Sequence, residues 1–458
     1  MADAPSDRPD LILVMTDQQR HDQVGYASCG HFETPTLDGL AASGVVFETA
    51  YSASTVCVPA RNALLTGILP HRLPVQENGM ALREGVWTIA HALGRAGYET
   101  ALIGKMHFAP VHSAHGFETM RLCEHLSAQG LGPLSQARGD LVDDYHGWLI
   151  DRGLPDRRLE ETAGQPWSLP IEAHPTEWVV NESRSFLAQR DRRRPLFLVV
   201  SFPHPHAPYD PPEPYRSMYA PADSELPVGG YELNEGLPLW LQLATSASIT
   251  RAEAADPRLV QTFLATVRGL VRQIDDALGR LVAELDLSRS VLLFTSDHGD
   301  FAGHRGLMRK NPWVPFDDLA RVPLMATGAG VTGGRRVPAL VQSSDIPLTL
   351  LELAGVPPPS EVTFDSRSLA PLLADRPGPE DLDRAVVCST TMSWPMIRRG
   401  SYKYLEHVEH VDGVLFDLQA DPDEQHNLVD DAGHRAVGEE LRDALRVVRE
   451  RPVISMAT

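Results

Sequence analysis

The sequence predicts an α/β fold: a doubly wound, mostly parallel sheet flanked by helices, with a smaller C-terminal α+β subdomain carrying a short antiparallel sheet. Three observations predict it. First, short apolar runs each end in a polar residue or a turn: LILVMTD (11–17), ETALIGK (99–105), LFLVVSF (196–202), VLLFTSD (291–297) and VPLMATG (322–328). Runs that are apolar on both faces read as buried parallel strands. Second, helical patterns lie between them. The clearest runs from Pro257 to Asp286, where Leu259, Phe263, Val267, Leu270, Ile274, Leu278, Leu281 and Leu285 recur every three or four residues as one apolar stripe. Strands alternating with helices imply a wound sheet. Third, the pattern shortens after about Arg376. AVVCST (385–390), SYKYLEHV (401–408) and GVLFDLQ (413–419) read as short strands, and a last helix spans about Arg435–Glu450. The chain therefore divides into a main domain over residues 1–375 and a small one over 376–458. Residues 120–172 and 210–256 are irregular, rich in Pro and Gly and too long for simple connections. They read as substrate-binding insertions.

The chain has 458 residues, 43% of them apolar, and a formal net charge of -20. That balance excludes a broad nucleic-acid surface, which needs an excess of Lys and Arg on one face. It leaves room for a small anion wherever positive charge is concentrated locally. The opening MADAPSDRPD is acidic, and the next apolar run is only Leu11–Met15. This is neither a secretory signal nor a membrane span, so the expectation is a cytoplasmic protein without a membrane partner. Cys29, Cys57, Cys123 and Cys388 are scattered without a CxxC pair, which argues against a disulfide framework. A homo-oligomer is left open.

Functional residues of a wound sheet gather at the carboxyl ends of its strands. Asp17 follows LILVMT, and Asp297 and His298 follow VLLFTS. One such Asp alone is equally well read as a helix cap. Two carboxylates and an imidazole from separate strand ends instead favour a divalent cation, with oxygen ligands suiting a hard ion and the imidazole widening the choice to Mn or Zn. Basic residues cluster three times: Lys105 and His107 in GKMHF, His204 and His206 in HPHAPYDPP, and His304, Arg305 and Lys310 in GHRGLMRKN. The members of the first two pairs stand two apart, so on an extended strand each pair shares a face. Together the clusters make a cationic pocket suited to sulfate or phosphate. Cys57, just before Pro59 and with Arg61 four residues on, reads as core filling, as a thiolate nucleophile, or as the precursor of another group.

These residues resemble a known family. CVPAR (57–61), continuing to Leu64-Leu65-Thr66-Gly67, resembles the sulfatase signature Cys-x-Pro-x-Arg. GKMHF resembles that family's Gly-Lys-x-His segment, HAPYDPP its His-x-Pro segment, and TSDHGD with GHRGLMRK its second metal segment and lysine. YKYLEH and LFDLQADPDEQHNL resemble its closing run. The matches extend in the family's order from residue 11 to about 428. The resemblance implies hydrolysis of a sulfate ester to an alcohol and inorganic sulfate, at a cysteine oxidised during synthesis to formylglycine by a formylglycine-generating enzyme. One hydroxyl of the hydrated aldehyde attacks sulfur and the second releases the sulfate.

By the same resemblance, Asp17, Gln18, Asp297, His298 and modified Cys57 hold one divalent metal ion, Ca or Mn ahead of Zn or Mg. Arg61, Lys105, His107, His206 and Lys310 join Cys57 as catalytic residues, Arg61 bracing the carboxylates and His107 helping the release. Lys310 is the first candidate for general acid if the pocket's other cations lower its pKa. Asn78, His204 and Arg305 would contact the small anionic ester. Asp17-Gln18 and Asp297-His298 depart from the Asp-Asp and Asp-Asn pairs of many sulfatases and look like choline sulfatases and phosphonate monoester or phosphodiester hydrolases. Hydrolysis of those phosphorus esters at the same site is the alternative. Trp148, Trp167, Tyr209 and Trp240 are candidates to pack against the alcohol part. A non-enzymatic relative would be expected to have lost one of Asp17, Asp297, Arg61 or Lys105, and all four are present.

Overall fold

The computed structural model describes residues 8–454 apart from 29, 74, 84, 125–142, 158–165, 391–392 and 411; Cys29 and part of the 120–172 insertion lie outside the described residues. The strands are β1 (Asp10–Asp17), β2 (Val45–Tyr51), β3 (Glu99–Gly104), β4 (Thr119–Leu122), β5 (Leu196–Pro205), β6 (Ser290–Ser296), β7 (Leu324–Gly328), β8 (Arg335–Gln342), β9 (Ala385–Thr390), β10 (Trp394–Arg399), β11 (Tyr402–Leu405) and β12 (Val414–Asp417). The first eight form one sheet in the order β4-β3-β5-β1-β6-β7-β2-β8, and the last four a second in the order β12-β11-β10-β9.

The central strands are the ones the apolar runs announced. β1 is buried along nearly its whole length and pairs in parallel with β5 and β6. VPLMATG is the exception in direction: β7 runs antiparallel to both β6 and β2. A strand covered on both faces is apolar whichever way it runs, so its composition carries no direction. The short strand β4 and the Pro-containing β8 lie at the two edges, where one partner suffices and half-exposed polar residues break the apolar run. The long helix starts at Pro257 with Asp256 capping Arg258 N, and ends at Val282 rather than Asp286. Its stripe from Val267 to Leu281 is buried, whereas Leu259 is half exposed. No helix among the described residues is long and apolar enough to cross a membrane.

The second sheet is antiparallel throughout. Leu441 and Leu445 of the helix Arg435–Arg449 pack onto it with Ile397, Tyr404 and Leu415. An ionic joint ties it to the main sheet. Lys403 on β11 is fully buried, with Nζ 2.8 Å from Asp317 Oδ1 and 2.7 Å from Glu424 Oε1. Tyr51 Oη at the end of β2 donates to Asp317 as well. Burial pushes the Asp317 carboxyl up, but Lys403, Arg398 and Arg321 outweigh it and hold the group below its ordinary value. Removing one partner of a buried ion pair leaves an uncompensated charge. Lys403→Met is therefore expected to lower stability by about 3–5 kcal/mol in urea unfolding, and a loss below about 1 kcal/mol, the worth of a surface pair, would show that the joint is dispensable.

Candidate active site

Sequence and local structure bring Cys57 to the sheet edge together. The chain leaves β2 through Ser52-Ala53-Ser54, whose Oγ atoms organise the turn: Ser52 Oγ donates to the carbonyl of Asp297 at 2.5 Å, and Val56 N donates to Ser54 Oγ at 3.2 Å. The helix Cys57–Thr66 then begins at Cys57, and Pro59 sits in its first turn, where no amide donor is needed. Asn78 accepts from the first-turn amide of Val58 at 3.0 Å, so its carbonyl end caps this helix. Gly67, at a left-handed φ of 69°, closes it.

The buried guanidinium of Arg61 lies one turn along that helix. Its Nη2 donates to Asp17 Oδ2 at 2.9 Å and its Nε to Asp297 Oδ2 at 2.8 Å. Nη1 donates to the Lys105 carbonyl at 2.7 Å and to Ser201 Oγ at 2.9 Å. The ends of β1, β3 and β6 and the middle of β5 are thereby held to one side chain. Lys105 Nζ stands 2.6 Å from Asp17 Oδ2. Lys310 Nζ donates to Cys57 Sγ at 2.9 Å and lies 3.1 Å from His206 Nε2, and His298 Nε2 is 3.2 Å from the same sulfur.

Ligand atoms of Asp17, Cys57, Asp297 and His298 all lie within 4.8 Å of one another, every one buried. The set fits a divalent cation. Asp17 Oδ1 is buried without a hydrogen-bond partner among the described residues. His298 Nδ1 donates to the Gly299 carbonyl at 2.9 Å, so the neutral ring presents the Nε2 lone pair. Gln18, at φ 64°, gives its amide nitrogen to Tyr209 Oη at 3.0 Å and Asp300 Oδ2 at 2.6 Å, leaving its oxygen as the end suited to a cation.

The field of the site follows from these contacts. Burial pushes the Asp17 carboxyl up, but Lys105, His206, Arg61 and Lys310 outweigh it and hold the group well below its ordinary range. Burial and Asp17 push the Cys57 thiol up, yet Lys310, His298 and Lys105 hold it well below the usual thiol value. Lys310 goes the other way from the expected one. Burial lowers it, but Cys57 and Asp17 raise it above its ordinary value, so the nearest anions outweigh the pocket's other cations.

Three predicted residues stand elsewhere or turn differently. The strand ends at Gly104 and His107 has φ 65°, so it does not share a strand face with Lys105. Its amide donates to Glu124, and its Nδ1 is buried with no hydrogen-bond partner. Arg305 is buried against the ring of Phe316 and donates to the carbonyls of Leu233, Asp423 and Glu424, fastening the segment that follows β12 to the one around Leu233. His204 parts company with His206. It stacks on His174 and lies 4.0 Å from Asp210 in a second buried group. In that group Thr176 N donates to His174 Nδ1 at 3.3 Å, so the neutral His174 ring carries its proton on Nε2 and offers no second lone pair. Of the four aromatic candidates, Tyr209 is buried with its hydroxyl on Gln18, Trp148 stacks on Tyr145, Trp167 packs edge-on to His174, and Trp240 stacks on His410. Ser201, Glu124 and Asp300 were missed by sequence reasoning. Only Asp300 carried a signal, as the last residue of TSDHGD.

The model of the family described as Sulfatase matches residues 9–356, and that of the N-sulphoglucosamine sulphohydrolase C-terminal region matches residues 313–451. An arylsulfatase of Clostridium perfringens is 31% identical over 96% of this chain and 94% of its own length. A choline-sulfatase of Rhizobium meliloti is 29% identical over 92% of this chain and 83% of its own. Among solved structures, the phosphonate monoester hydrolase of Agrobacterium radiobacter superposes with a TM-score of 0.81 at 24% identity, covering 96% of this chain and 95% of that one.

The second buried group makes a pH prediction. Burial raises the Asp210 carboxyl to about 8, while the unfolded chain titrates near ~3.9. Between these values the folded state holds the extra proton, so stability falls as pH rises from about 4 to about 8, by at most ~1.4 kcal/mol per pH unit. Asp210→Asn should remove that slope and exceed the parent's stability at pH 8, with the difference shrinking as pH falls towards 4. Parallel stability–pH curves for the two proteins would overturn the assignment.

Proposed function

The chain belongs to the sulfatase family and is a sulfuric ester hydrolase; we propose that it cleaves a small sulfate monoester with an oxygen nucleophile made from Cys57 beside one divalent cation. The observation that carries this reading is the placement of Cys57. Its Sγ sits at a helix N-terminus, within reach of Asp17, Asp297 and His298 and 2.9 Å from Lys310. Asp17, Asp297 and His298, with the Gln18 oxygen and the side chain at 57, would hold Ca2+ or Mn2+. Such an ion, when bound, supplies positive charge to developing oxyanions and lowers the pKa of an oxygen nucleophile. Oxidation of Cys57 to formylglycine supplies, as its hydrate, that oxygen and a second hydroxyl for sulfate release. Cys57 is fully buried in the folded chain, so a modifying enzyme must reach it before this region folds.

The chain's own residues do the rest. Arg61 fixes the two carboxylates, with four of its five N–H donors taken by Asp17, Asp297, the Lys105 carbonyl and Ser201. Lys105 balances Asp17. His206 donates Nδ1–H to the Ala207 carbonyl at 3.0 Å, so the neutral ring accepts at Nε2 and Lys310 is the proton carrier of that pair. Lys310 is raised above its ordinary value chiefly by the Cys57 sulfur among its neighbours. Replacing that anionic sulfur with an uncharged group removes the largest upward influence and moves the ammonium towards the acidity a general acid needs. The helix N-terminus at Cys57 adds partial positive charge beside the sulfuryl oxygens.

The reading is tested by assaying the purified protein on alkyl and aryl sulfates, phosphodiesters and phosphonate monoesters, alongside the mass of the Cys57 peptide. Sulfate esters should turn over fastest, and the peptide should be lighter than its cysteine form. Faster turnover of a phosphorus ester would reassign the substrate class, and an unmodified peptide in a fully active preparation would overturn the nucleophile. Cys57→Ala is expected to abolish turnover with the fold intact by circular dichroism.

Lys310→Ala and His206→Ala separate acid from anion holder. An alkyl alcohol leaves as a strong base and needs its proton in the transition state, and general acid help is worth ~10²–10⁴-fold. A nitrophenolate leaves without it. Loss of the acid should therefore slow alkyl sulfates far more than nitrophenyl sulfate, whereas equal losses on both esters would leave these residues as sulfate ligands.

A further inference from the structure

We propose that Asp300 decides which end of the Gln18 side-chain amide meets the cation, and that it ties this choice to the position of Lys310. The inference rests on the cation reading above.

Asp300 is buried in the loop after β6. Its hydrogen bonds all run into it. Oδ2 accepts from Gln18 Nε2 at 2.6 Å, and Oδ1 accepts from Ala302 N at 2.6 Å and Arg309 N at 3.0 Å. Tyr209 Oη takes the other contact of Gln18 Nε2 at 3.0 Å. Both hydrogens of the amide are thereby engaged, and its oxygen is the remaining end.

That arrangement has a competitor. Gln18 follows Asp17 directly, and its own backbone N–H donates to Asp297 Oδ1 at 3.0 Å. An amide that shares a cation with two carboxylates can instead turn its NH2 group towards them, which puts hydrogens where a cation belongs. Asp300 opposes that turn, because rotating the amide would press its oxygen against a carboxylate oxygen. The same carboxylate fixes Ala302 and Arg309, at left-handed φ of 51° and 60°, and Arg309 precedes Lys310. Asp300 is thus a positioning residue for two groups, the Gln18 amide through its own hydrogen bond and Lys310 through the backbone of Arg309.

A side-chain swap distinguishes this from simple loop support. In Asp300→Asn, one acceptor oxygen must serve where two did. If it stays on Ala302 and Arg309, the new NH2 faces Gln18 and forces the amide to turn. In Gln18→Glu, two carboxylates face each other across the 2.6 Å contact. In the double variant the amide introduced at position 300 donates to one oxygen of the carboxylate introduced at position 18. The hydroxyl of Tyr209 can reverse to donate to the same carboxylate, and its second oxygen is free for the cation.

The experiment is calorimetric titration of the full-length, chelator-stripped protein with Mn2+, with thermal unfolding in the absence of metal as the control for folding. The parent should bind one equivalent. Asp300→Asn should bind ~10–100-fold more weakly, as loss of an orienting partner does in other metal sites, and D300N/Q18E should recover most of that loss. Unchanged affinity in Asp300→Asn, or a double variant no tighter than D300N, would overturn the proposal and leave Asp300 as a loop support. A parent that binds no Mn2+ or Ca2+ would overturn the cation reading itself. Should Asp300→Asn fail to fold, Q18E against the double variant makes the same comparison, with the double expected to be tighter. If the double variant also fails to fold, the two side chains are not an exchangeable pair and the proposal falls.

Discussion

The fork of Arg61 is what allows two carboxylates to share the buried end of this sheet. Asp17 and Asp297 come from adjacent parallel strands, and each has a nitrogen of the same guanidinium within 2.9 Å. Unpaired, two buried anions at that separation would each cost several kcal/mol of lost hydration. Arg61 removes that cost on one side of each carboxylate. Among the described residues, Asp17 Oδ1 is left buried and unpartnered on the other, and Asp297 Oδ1 is bonded only to the backbone amides of Gln18 and His298. The helix Cys57–Thr66 must therefore enter the sheet edge at one depth and one rotation, because Arg61 also reaches the Lys105 carbonyl and Ser201. Cys57, one turn earlier, has no choice of position once its arginine is seated. A lysine there could offer neither the planar fork nor enough donors.

Most of this was legible in the sequence because strand ends are legible. A run of buried residues stopping at an Asp fixes where the Asp emerges, and Asp17, Lys105, Asp297 and His298 all emerge at the predicted edge. What could not be read was the path of the chain beyond the last paired residue. His204 and His206 are two apart, yet one joins His174 and the other Lys310. Spacing predicts a shared face only while the backbone stays extended, and here β5 ends between them. Arg305 was read as part of a cationic pocket because its neighbours are His304 and Lys310. Its φ of 57° turns it instead towards the carbonyls of Asp423 and Glu424, in the segment after β12. The direction of β7 was hidden for a different reason, since burial on both faces erases every periodic signal. β10 was hidden by Pro395, although it is central in its sheet; its neighbours, not its own composition, make it a strand.

The charge inventory at Cys57 reconciles an acidic protein with an anionic substrate. The chain carries a formal charge of -20, which repels an ester at long range, although ~0.15 M salt confines that repulsion to about 8 Å. Inside the site the balance reverses. Three basic side chains, Arg61, Lys105 and Lys310, face the two carboxylates Asp17 and Asp297. As long as residue 57 is a thiolate, its charge cancels the third cation, and the drop of the thiol below its usual value is that cancellation seen from the sulfur. An uncharged group in its place leaves one positive charge in excess among these groups, with the carboxylates of Asp300 behind Gln18 and Glu124 beyond Arg61 outside that count.

The choice of Gln18 and His298 sharpens the same effect. Both positions are neutral where a carboxylate would add an anion, so a divalent cation held here is only partly compensated by its ligands. The remaining positive charge falls on whatever oxygen approaches next. A singly charged ester would gain from it, and in the reading proposed above Lys310 and His206, 3.1 Å apart beside the sulfur of Cys57, would serve the leaving oxygen. Neutral ligands have a weakness, since an amide placed beside anions can present hydrogen as readily as oxygen. The network of Asp300 and Tyr209 around the Gln18 nitrogen meets that weakness with two hydrogen bonds. A site that lowers its negative charge to favour an anionic substrate must replace ligand charge with ligand orientation, and here the orienting groups are buried as deeply as the ligands themselves.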